Sequence, residues 1–200
     1  MKVCLDLHDF SIVNNRLGLL LRLKSLYPNF RVSLFTVPID EKQDWGPYLV
    51  REDSLKEIKK HLDWMQIIPH GLKHNGLEMI KATYDESKEI LHLGENAFES
   101  DGIPYVKGFC APHWKWNDEV VRALDESGWW GAVDRDKVMP RPKRFYQYNY
   151  LLNEPFPLDV DLKLHGHVYG TKNDLGRCFS NLTRLPLDTE FVFATDCLEE

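Results

Sequence analysis

The sequence predicts an α/β fold with a largely parallel sheet, built as a single domain over residues 1–200. Strand-like runs alternate with helix-like runs along most of the chain, which is typical of β-α-β units. No internal repeat and no linker rich in Gly, Ser or Pro divides the sequence. A chain of 200 residues, 43% of them hydrophobic, is long enough to bury one full core.

The first half of the chain supplies the predicted elements in alternation. Period-two apolar residues and β-branched runs predict strands, whereas apolar residues at helical spacing predict helices. Asp53 or Ser54 is a candidate N-cap, and Glu57 is placed for a capping box with Ser54. The predicted elements are a strand at 2–7, a helix at 13–26, a strand at 31–37, a helix from the cap to about 64, and a strand at 65–69.

The second half continues the alternation except between residues 140 and 160. Asn117 or Asp118 caps a predicted helix that Gly128 closes at its C-terminal end. The other predicted elements are a helix at 85–98 and strands at 105–109, 130–133, 162–164 and 190–194. Residues 140–160 are rich in Pro and Tyr and fit neither pattern, so no element is predicted there.

The composition disfavours several classes of protein. A net charge of −6 argues against nucleic acid or an anionic membrane as the main partner. The longest apolar stretch, residues 17–23, is far too short to span a bilayer. No basic region followed by an apolar one opens the chain, so no signal peptide is expected and the predicted location is cytoplasmic. The four cysteines are widely spaced, which indicates neither a disulfide framework nor a thiolate zinc site.

Ionisable side chains stand where the predicted strands end. In parallel α/β folds the loops at the carboxyl ends of the strands surround one crevice, and reactive groups collect there. The residues at these positions are His8 and Asp9, His70, Pro112 and His113, Asp134, and His165. Surface charge alone would place Lys and Glu there as often, so the pattern predicts a site suited to metal binding or proton transfer.

The pair His70 and His74 is the most specific feature. If the segment turns into a helix, two histidines four apart lie on one face and both imidazoles reach one ion. Asp9 then completes a ligand set that leaves positions open for water and substrate. The alternatives are two ordinary loop histidines and, for Asp9, an N-cap of the following helix.

Other histidines suit proton transfer near neutral pH. His165 is a candidate general acid that protonates a departing amine, and His167 is a weaker candidate. Asp6 lies one pleat before His8 and shares its face of the strand. Asp6 therefore either orients the His8 imidazole or has another hydrogen-bond partner inside the fold.

Together these features resemble the polysaccharide deacetylase superfamily, the NodB-homology domain of carbohydrate esterase family 4, and most of all its "predicted deacetylase" branch. Residues 6–10 are similar to the family's first motif, Thr-Phe-Asp-Asp-Gly, and residues 70–74 to its second, His-Ser/Thr-x-x-His. Residues 110–112 look like its third motif, Arg-x-Pro, and Asp134 like a fourth, acidic position. Residues 162–165 look like the fifth, Leu-x-His, with one extra residue.

The resemblance implies a distorted or incomplete (β/α) barrel that hydrolyses an amide bond, usually that of an N-acetyl group on an amino sugar. It implies one divalent metal ion held by Asp9, His70 and His74. By ligand type this ion is zinc, with iron, cobalt or nickel as alternatives.

The expected catalytic residues are His8, His165 and Asp134. A small-molecule or oligosaccharide substrate is expected to contact Pro112, His113 and Trp114. Trp45, Trp114 and Trp116 would form an apolar wall against a sugar ring, although packing in the core is the commoner role of Trp.

Two positions depart from the family pattern. His8 stands where the family has its catalytic aspartate base, and Cys110 stands where the family has the arginine that orients this base. The two changes fit each other, because an arginine stabilises a carboxylate but lowers the proton affinity of a histidine. We therefore expect either that His8 is the base or that the activity has drifted.

Three functions follow from these residues. The first is a deacetylase in which His8 accepts the proton of the attacking water and His165 protonates the departing nitrogen. The second is a drifted protein that binds a sugar or a metal without turnover. The third is a phosphate-ester hydrolase, which ranks last because only Lys73, Lys115 and Lys163 stand near the motifs to meet a phosphate.

Overall fold

A computed structural model describes residues 1–39, 51–76 and 78–200. In these residues strands and helices alternate along most of the chain. The strands are β1 (Lys2–Phe10), β2 (Val32–Thr36), β3 (Met65–Pro69), β4 (Gly108–Phe109), β5 (Trp130–Val133), β6 (Phe145–Gln147), β7 (Tyr150–Leu151), β8 (Leu162–His167) and β9 (Glu190–Val192). The helices are α1 (Leu17–Leu26), α2 (Arg51–Lys59), α3 (Tyr84–Asp101), α4 (Asp118–Glu126) and α5 (Leu175–Leu182).

The strands form a curved, parallel arrangement. One sheet has the order β3-β2-β1-β8-β7, with β9 beside the start of β1, and a second has the order β4-β5-β6. A parallel bridge between His70 and Cys110 connects the end of β3 to the end of β4. Every strand pair among the described residues is parallel. The predicted α/β class with a largely parallel sheet is confirmed.

Alternation along β1 separates a helix-facing side from an interior side. Val3, Leu5 and Leu7 belong to the apolar cluster that includes the buried residues of α1 and α5. Cys4 instead packs in the interior cluster with aromatic and aliphatic side chains from β2, β3, β5 and β6. Asp6 follows Cys4 on this interior side, where it contacts Tyr146 of β6. Because side chains alternate along a strand, Asp6 and then His8 lie on the inside of the sheet toward its carboxyl end.

Several predicted boundaries differ from the structure. β1 continues through Phe10, three residues beyond the predicted end. Ser54 does not cap α2, because this helix already begins at Arg51 and the Ser54 hydroxyl instead accepts a hydrogen bond from Asn15 Nδ2 at 2.8 Å. α3 begins after Thr83, whose side chain forms a capping box with Glu86.

Other predictions hold. Asn117 caps α4 by accepting a hydrogen bond from the Val120 N–H, and Gly128 has a left-handed φ of 73° beyond its C-terminal end. The strands predicted at 65–69 and 130–133 have the observed limits. The elements that no pattern predicted are β6, β7 and α5, which span only two to eight residues each.

A matched pair of substitutions tests the helix-facing core. Leu5 is 0% exposed, so Leu5→Ala removes buried apolar volume and is expected to lower the free energy of unfolding by about 2–5 kcal/mol. Leu187 is 71% exposed, and Leu187→Ala is expected to change it by less than about 0.5 kcal/mol. Urea denaturation followed by circular dichroism measures both, and equal losses would contradict this assignment of the core.

Candidate active site

A cavity of about 770 Å³ opens at the carboxyl end of the strands. Its lining is rich in imidazole, since six of the eight histidines of the chain contribute to it. These are His8, His70, His74, His113, His165 and His167. The cavity has the size of an ordinary small-molecule site, and the strand ends bring together the histidines that the sequence analysis selected.

The end of β1 places two successive side chains in this cavity. The register of β1 against β2 shifts between Leu7 and Phe10, and Asp9 has a left-handed φ of 60°. A regular strand would point His8 and Asp9 to opposite faces. Because the backbone turns at Asp9, both side chains line the cavity.

Asp9, His70 and His74 converge on one point. Asp9 Oδ1 lies 3.3 Å from His70 Nε2 and 3.0 Å from His74 Nε2. Two ligand atoms that bind one zinc ion tetrahedrally, each at about 2.0–2.1 Å, are about 3.3 Å apart. The three donor atoms are thus spaced as the ligands of one divalent ion would be.

The hydrogen bonds around this group also fit a cation. The Nδ1–H of His70 donates to the Cys110 carbonyl oxygen at 3.0 Å, which leaves the His70 Nε2 lone pair facing Asp9. Burial lowers the pKa of His70, so the ring is neutral at pH 7. Among the described residues Asp9 Oδ1 has no partner in hydrogen-bond geometry. Buried lone pairs that face each other repel, and a cation between them removes this cost.

The carboxylate of Asp9 remains ionised in this environment. Burial raises its pKa, but the interactions with His70 and His74 lower the pKa by more, and the net result lies well below the ordinary range. A charged carboxylate with two neutral imidazoles is a common ligand set of catalytic zinc sites.

The segment that joins His70 and His74 is not helical. The spacing predicted both imidazoles on one face only if this segment formed a helix. It is a loop in which Gly71 and His74 have left-handed φ values of 62° and 57°. The Gly71 N–H donates to the Cys110 carbonyl, and the Leu72 N–H donates to Glu78 Oε1 at 3.1 Å. The loop, rather than a helix face, turns both imidazoles toward Asp9.

Backbone strain concentrates at this cavity. A left-handed φ is uncommon for residues other than glycine and usually marks a turn or a functional position. Among the described residues, five non-glycine residues have one: Asp9, Arg16, His74, His113 and Trp114. Four of the five line the cavity, so the fold holds unfavourable conformations where the candidate ligands lie.

His8 is fully enclosed beside this group. Its ring stacks on Trp114, with centroids 4.8 Å apart, and lies 4.7 Å from the His70 ring. Burial, together with the neighbouring histidines, lowers its pKa well below the ordinary range. Its Nε2 has no hydrogen-bond partner among the described residues. His8 is therefore a neutral imidazole with a nitrogen available for a proton.

The carboxylate of Asp6 has two partners inside the fold. Its Oδ1 lies 2.6 Å from His165 Nδ1, and its Oδ2 accepts a hydrogen bond from the Tyr146 hydroxyl at 2.8 Å. The His8 Nε2 lies farther away, 3.4 Å from Oδ1. Of the two roles that the sequence left open for Asp6, the contacts favour a hydrogen-bond partner other than His8.

Asp134 lines the cavity without a hydrogen bond to an imidazole in the described residues. Its Oδ1 accepts from the Tyr148 hydroxyl at 3.2 Å and from the Asp136 N–H at 2.8 Å. Its Oδ2 pairs with Lys137 Nζ at 3.2 Å. The Tyr148 ring stacks on His165 with centroids 4.7 Å apart, so Asp134 reaches the histidines only through a tyrosine.

The segment 112–114 forms one turn of 3-10 helix at the cavity wall. Pro112 is buried against the loop at Gly71, His113 is exposed at the rim, and Trp114 covers His8. Trp116 is buried in the core, and its Nε1–H donates to the Pro140 carbonyl oxygen. Trp116 therefore does not line this cavity, whereas Trp45 lies outside the described residues.

Two lining residues were underrated or missed by the sequence analysis. His167 accompanies His165 on the interior side of β8, and its Nε2 lies 3.9 Å from Asp9 Oδ2. Burial lowers the pKa of His167 to about 4. Period-two alternation from His165 would have placed it there. Tyr148 gave no such signal, because it follows a three-residue strand in the segment without a predicted element.

Solved structures with this fold include several carbohydrate esterases. The chitin deacetylase from Colletotrichum lindemuthianum superimposes with a TM-score of 0.65 at 14% identity, covering 98% of this chain and 86% of that one. A family 4 acetyl xylan esterase from Clostridium thermocellum, in complex with a cobalt ion, gives a TM-score of 0.57 at 14% identity, covering 98% and 90%. The fold implied by the resemblance is confirmed, and the branch within the superfamily stays a prediction.

The same fold also occurs in a protein described as inactive. A family 4 pseudoenzyme from Bacillus anthracis superimposes with a TM-score of 0.59 at 15% identity, covering 98% of this chain and 64% of that one. Neither a protein-family model nor a curated protein sequence matches the chain. None of the helices in the described ranges is long and apolar enough to cross a membrane.

Gly71 tests whether the loop needs its conformation. An added Cβ would overlap the Glu78 carboxylate and lie 2.7 Å from Pro112 Cγ, whereas at Gly128, also left-handed, it would meet nothing within 4 Å. Gly128→Ala is expected to cost only the backbone penalty of about 1–2 kcal/mol. Gly71→Ala is expected to cost about 1–3 kcal/mol more through overlap. Thermal denaturation compares them, and equal losses would contradict a tightly packed loop.

Proposed function

We propose that this protein is a metal-dependent deacetylase that hydrolyses the amide bond of an N-acetylated amino sugar. The observation that carries the proposal is the convergence of Asp9 Oδ1, His70 Nε2 and His74 Nε2 in a cavity of substrate size. The fold supports it, since solved structures of this fold include a chitin deacetylase and an acetyl xylan esterase.

Asp9, His70 and His74 would hold the metal. A bound divalent ion polarises the amide carbonyl and acidifies a water molecule, which is the chemistry that amide hydrolysis needs. Zinc is the preferred ion for one carboxylate and two imidazoles, with iron, cobalt and nickel as alternatives. Cys110 supplies only its carbonyl oxygen to orient His70, because burial raises the pKa of its thiol well above the ordinary range.

His8 would accept the proton of the attacking water. It lies beside His70, and its lowered pKa keeps the imidazole unprotonated at neutral pH. Trp114 and Phe35 hold its ring from two directions, with centroid distances of 4.8 and 4.3 Å. Because packing already fixes the ring and excludes water from it, little conformational entropy is lost when the imidazole accepts the proton.

The substrate would enter over an aromatic rim. Trp114, Tyr148 and Tyr169 line the cavity, and aromatic faces pack well against the apolar faces of sugar rings. The acetyl group would point inward to the histidines, with the rest of the sugar toward exposed His113. The N-acetylated sugar and the cytoplasmic location stay predictions from the sequence.

Metal content tests the proposal directly. Purified protein is expected to hold about one divalent ion per chain, and both His70→Ala and His74→Ala are expected to lose it because each removes a ligand. His92→Ala is the matched control, since this exposed histidine of α3 bonds only to Asn96 among the described residues. Elemental analysis measures all four proteins, and deacetylation of N-acetylglucosamine oligomers should disappear with the metal. Protein that remains metal-free after incubation with zinc would contradict the proposal.

A second candidate function is binding without turnover. The observation that favours it is the histidine at position 8, where the resemblance places an aspartate base, together with a pseudoenzyme of the same fold. In this case the metal group would hold a sugar rather than activate water.

Substitutions at position 8 separate the two functions. For an enzyme, His8→Ala is expected to reduce kcat by about 10²–10⁴-fold, the usual contribution of a general base, while the metal content is unchanged. For a binding protein, the wild type shows no turnover, and His8→Asp is expected to introduce it. Turnover assays and metal analysis on the three proteins decide between them.

A further inference from the structure

We infer that Asp6 is the positioning residue that makes His165 the general acid of the reaction, a role that the resemblance does not give it. The inference rests on the proposed function. Asp6 lies on β1 and His165 on β8, and the register pairs them directly across the two parallel strands. Their side chains point to the same interior side, which is why the contact forms.

The contact fixes one tautomer of His165. The distance of 2.6 Å from His165 Nδ1 to Asp6 Oδ1 is that of a strong hydrogen bond, in which Nδ1–H donates to the carboxylate. Because Nδ1 is engaged, Nε2 is the nitrogen that His165 offers to the cavity it lines. Both side chains are almost completely buried, at 0% and 2% exposure, so water does not compete for this bond.

The carboxylate of Asp6 is itself held in place. Tyr146 donates to its Oδ2 at 2.8 Å, and the Cys4 thiol lies 3.6 Å from the Tyr146 hydroxyl. Burial, and then the charge of Asp6, raise the pKa of Tyr146 well above the ordinary range, so this hydroxyl remains a donor. Asp6 thus has one oxygen for Tyr146 and one for His165, and neither can turn away without loss of a buried hydrogen bond.

Asp134, the other acidic candidate, has hydrogen-bond and ion-pair partners other than His165. Its hydrogen bonds go to Tyr148 and Asp136, and its ion pair goes to Lys137. It approaches His165 only through the stacked Tyr148 ring. Of the two aspartates, Asp6 and not Asp134 therefore forms the hydrogen bond to His165.

The proton balance follows from this geometry. Water adds its oxygen to the amide carbon and gives one proton to His8. As the carbon–nitrogen bond breaks, Nε2–H of protonated His165 transfers its proton to the departing nitrogen. His165 keeps its Nδ1–H on Asp6, whose carboxylate accepts this hydrogen bond and stabilises the imidazolium before the transfer. The products are the free amine and acetic acid, which ionises to acetate in water. His8 then gives its proton to solvent and His165 takes one up, which restores the starting state.

Dependence on the leaving group tests the role of Asp6. An amide needs a proton on its departing nitrogen, whereas 4-nitrophenyl acetate releases a stable anion that needs none. Asp6→Asn is expected to lower kcat for the N-acetyl sugar at least about 10-fold, while KM and metal content stay unchanged. The largest loss expected is the whole contribution of acid catalysis, roughly 10²–10⁴-fold. The ester is expected to lose less than about 3-fold, because only the amide step uses the acid.

Two further variants keep the test decisive. Asp161→Asn is the matched control, because this exposed carboxylate accepts a hydrogen bond from the Lys2 N–H outside the cavity, and it is expected to leave the ratio of amide to ester rates near that of the wild type. Tyr146→Phe removes only the donor to Asp6 Oδ2 and is expected to lower the same ratio, by less than Asp6→Asn does. It replaces Asp6→Asn if that variant does not fold.

A readout without turnover separates this inference from the proposed function. The Nδ1–H of His165 is expected to give a strongly downfield proton resonance that Asp6→Asn abolishes and Asp161→Asn retains. An unchanged resonance in Asp6→Asn, or equal loss of amide and ester rates, would overturn the role of Asp6. A wild type that hydrolyses neither substrate would overturn the proposed function alone, because the resonance still tests the Asp6 contact.

Discussion

Two buried carboxylates at the end of β1 are the constraint on which the rest of the site depends. Asp6 is 0% exposed and Asp9 is 8% exposed. Removing ionised carboxylates from water costs several kcal/mol each unless other groups replace the lost solvation. Tyr146 and imidazoles, rather than a guanidinium, contact these two carboxylates. The groups that replace the lost solvation are therefore mainly histidines.

Each carboxylate imposes a different arrangement on its histidines. Asp6 forms a short hydrogen bond to His165 from a regular strand position. Asp9 is reached only through a bulge, and its nearest imidazole nitrogens lie at metal-ligand spacing without hydrogen-bond geometry. The contrast separates the part of the cavity around Asp6 and His165, where we propose proton transfer, from the part around Asp9, where we propose metal binding, and His8 lies between them. The strained backbone at Asp9 and His74 belongs to the part around Asp9.

The parallel sheet and most of the site residues could be predicted from the sequence, because the strand and helix patterns and the residues at strand ends are local signals. The alternation of strands and helices predicted the parallel sheet, and the strand-end rule selected four of the six histidines that line the cavity. The spacing of the His70 and His74 pair added a fifth. Pairing across strands is not local. The partner of Asp6 depends on the register of β1 against β8, 159 residues away, and the aiming of Asp9 depends on a bulge that no residue pattern marks. Tyr146 lies in β6 and Tyr148 follows it, and a strand of three residues is too short for periodicity to detect.

The position of a bound metal tests the central claim most directly. Crystals soaked in zinc, with X-ray data collected at the zinc absorption edge, would locate the ion by its anomalous signal. The account predicts one strong peak about 2.0–2.2 Å from Asp9 Oδ1, His70 Nε2 and His74 Nε2. No peak at this point, or a peak only within one of the two other buried groups (Asp6 with His8 and His165, or His8 with His70 and Cys110), would contradict it.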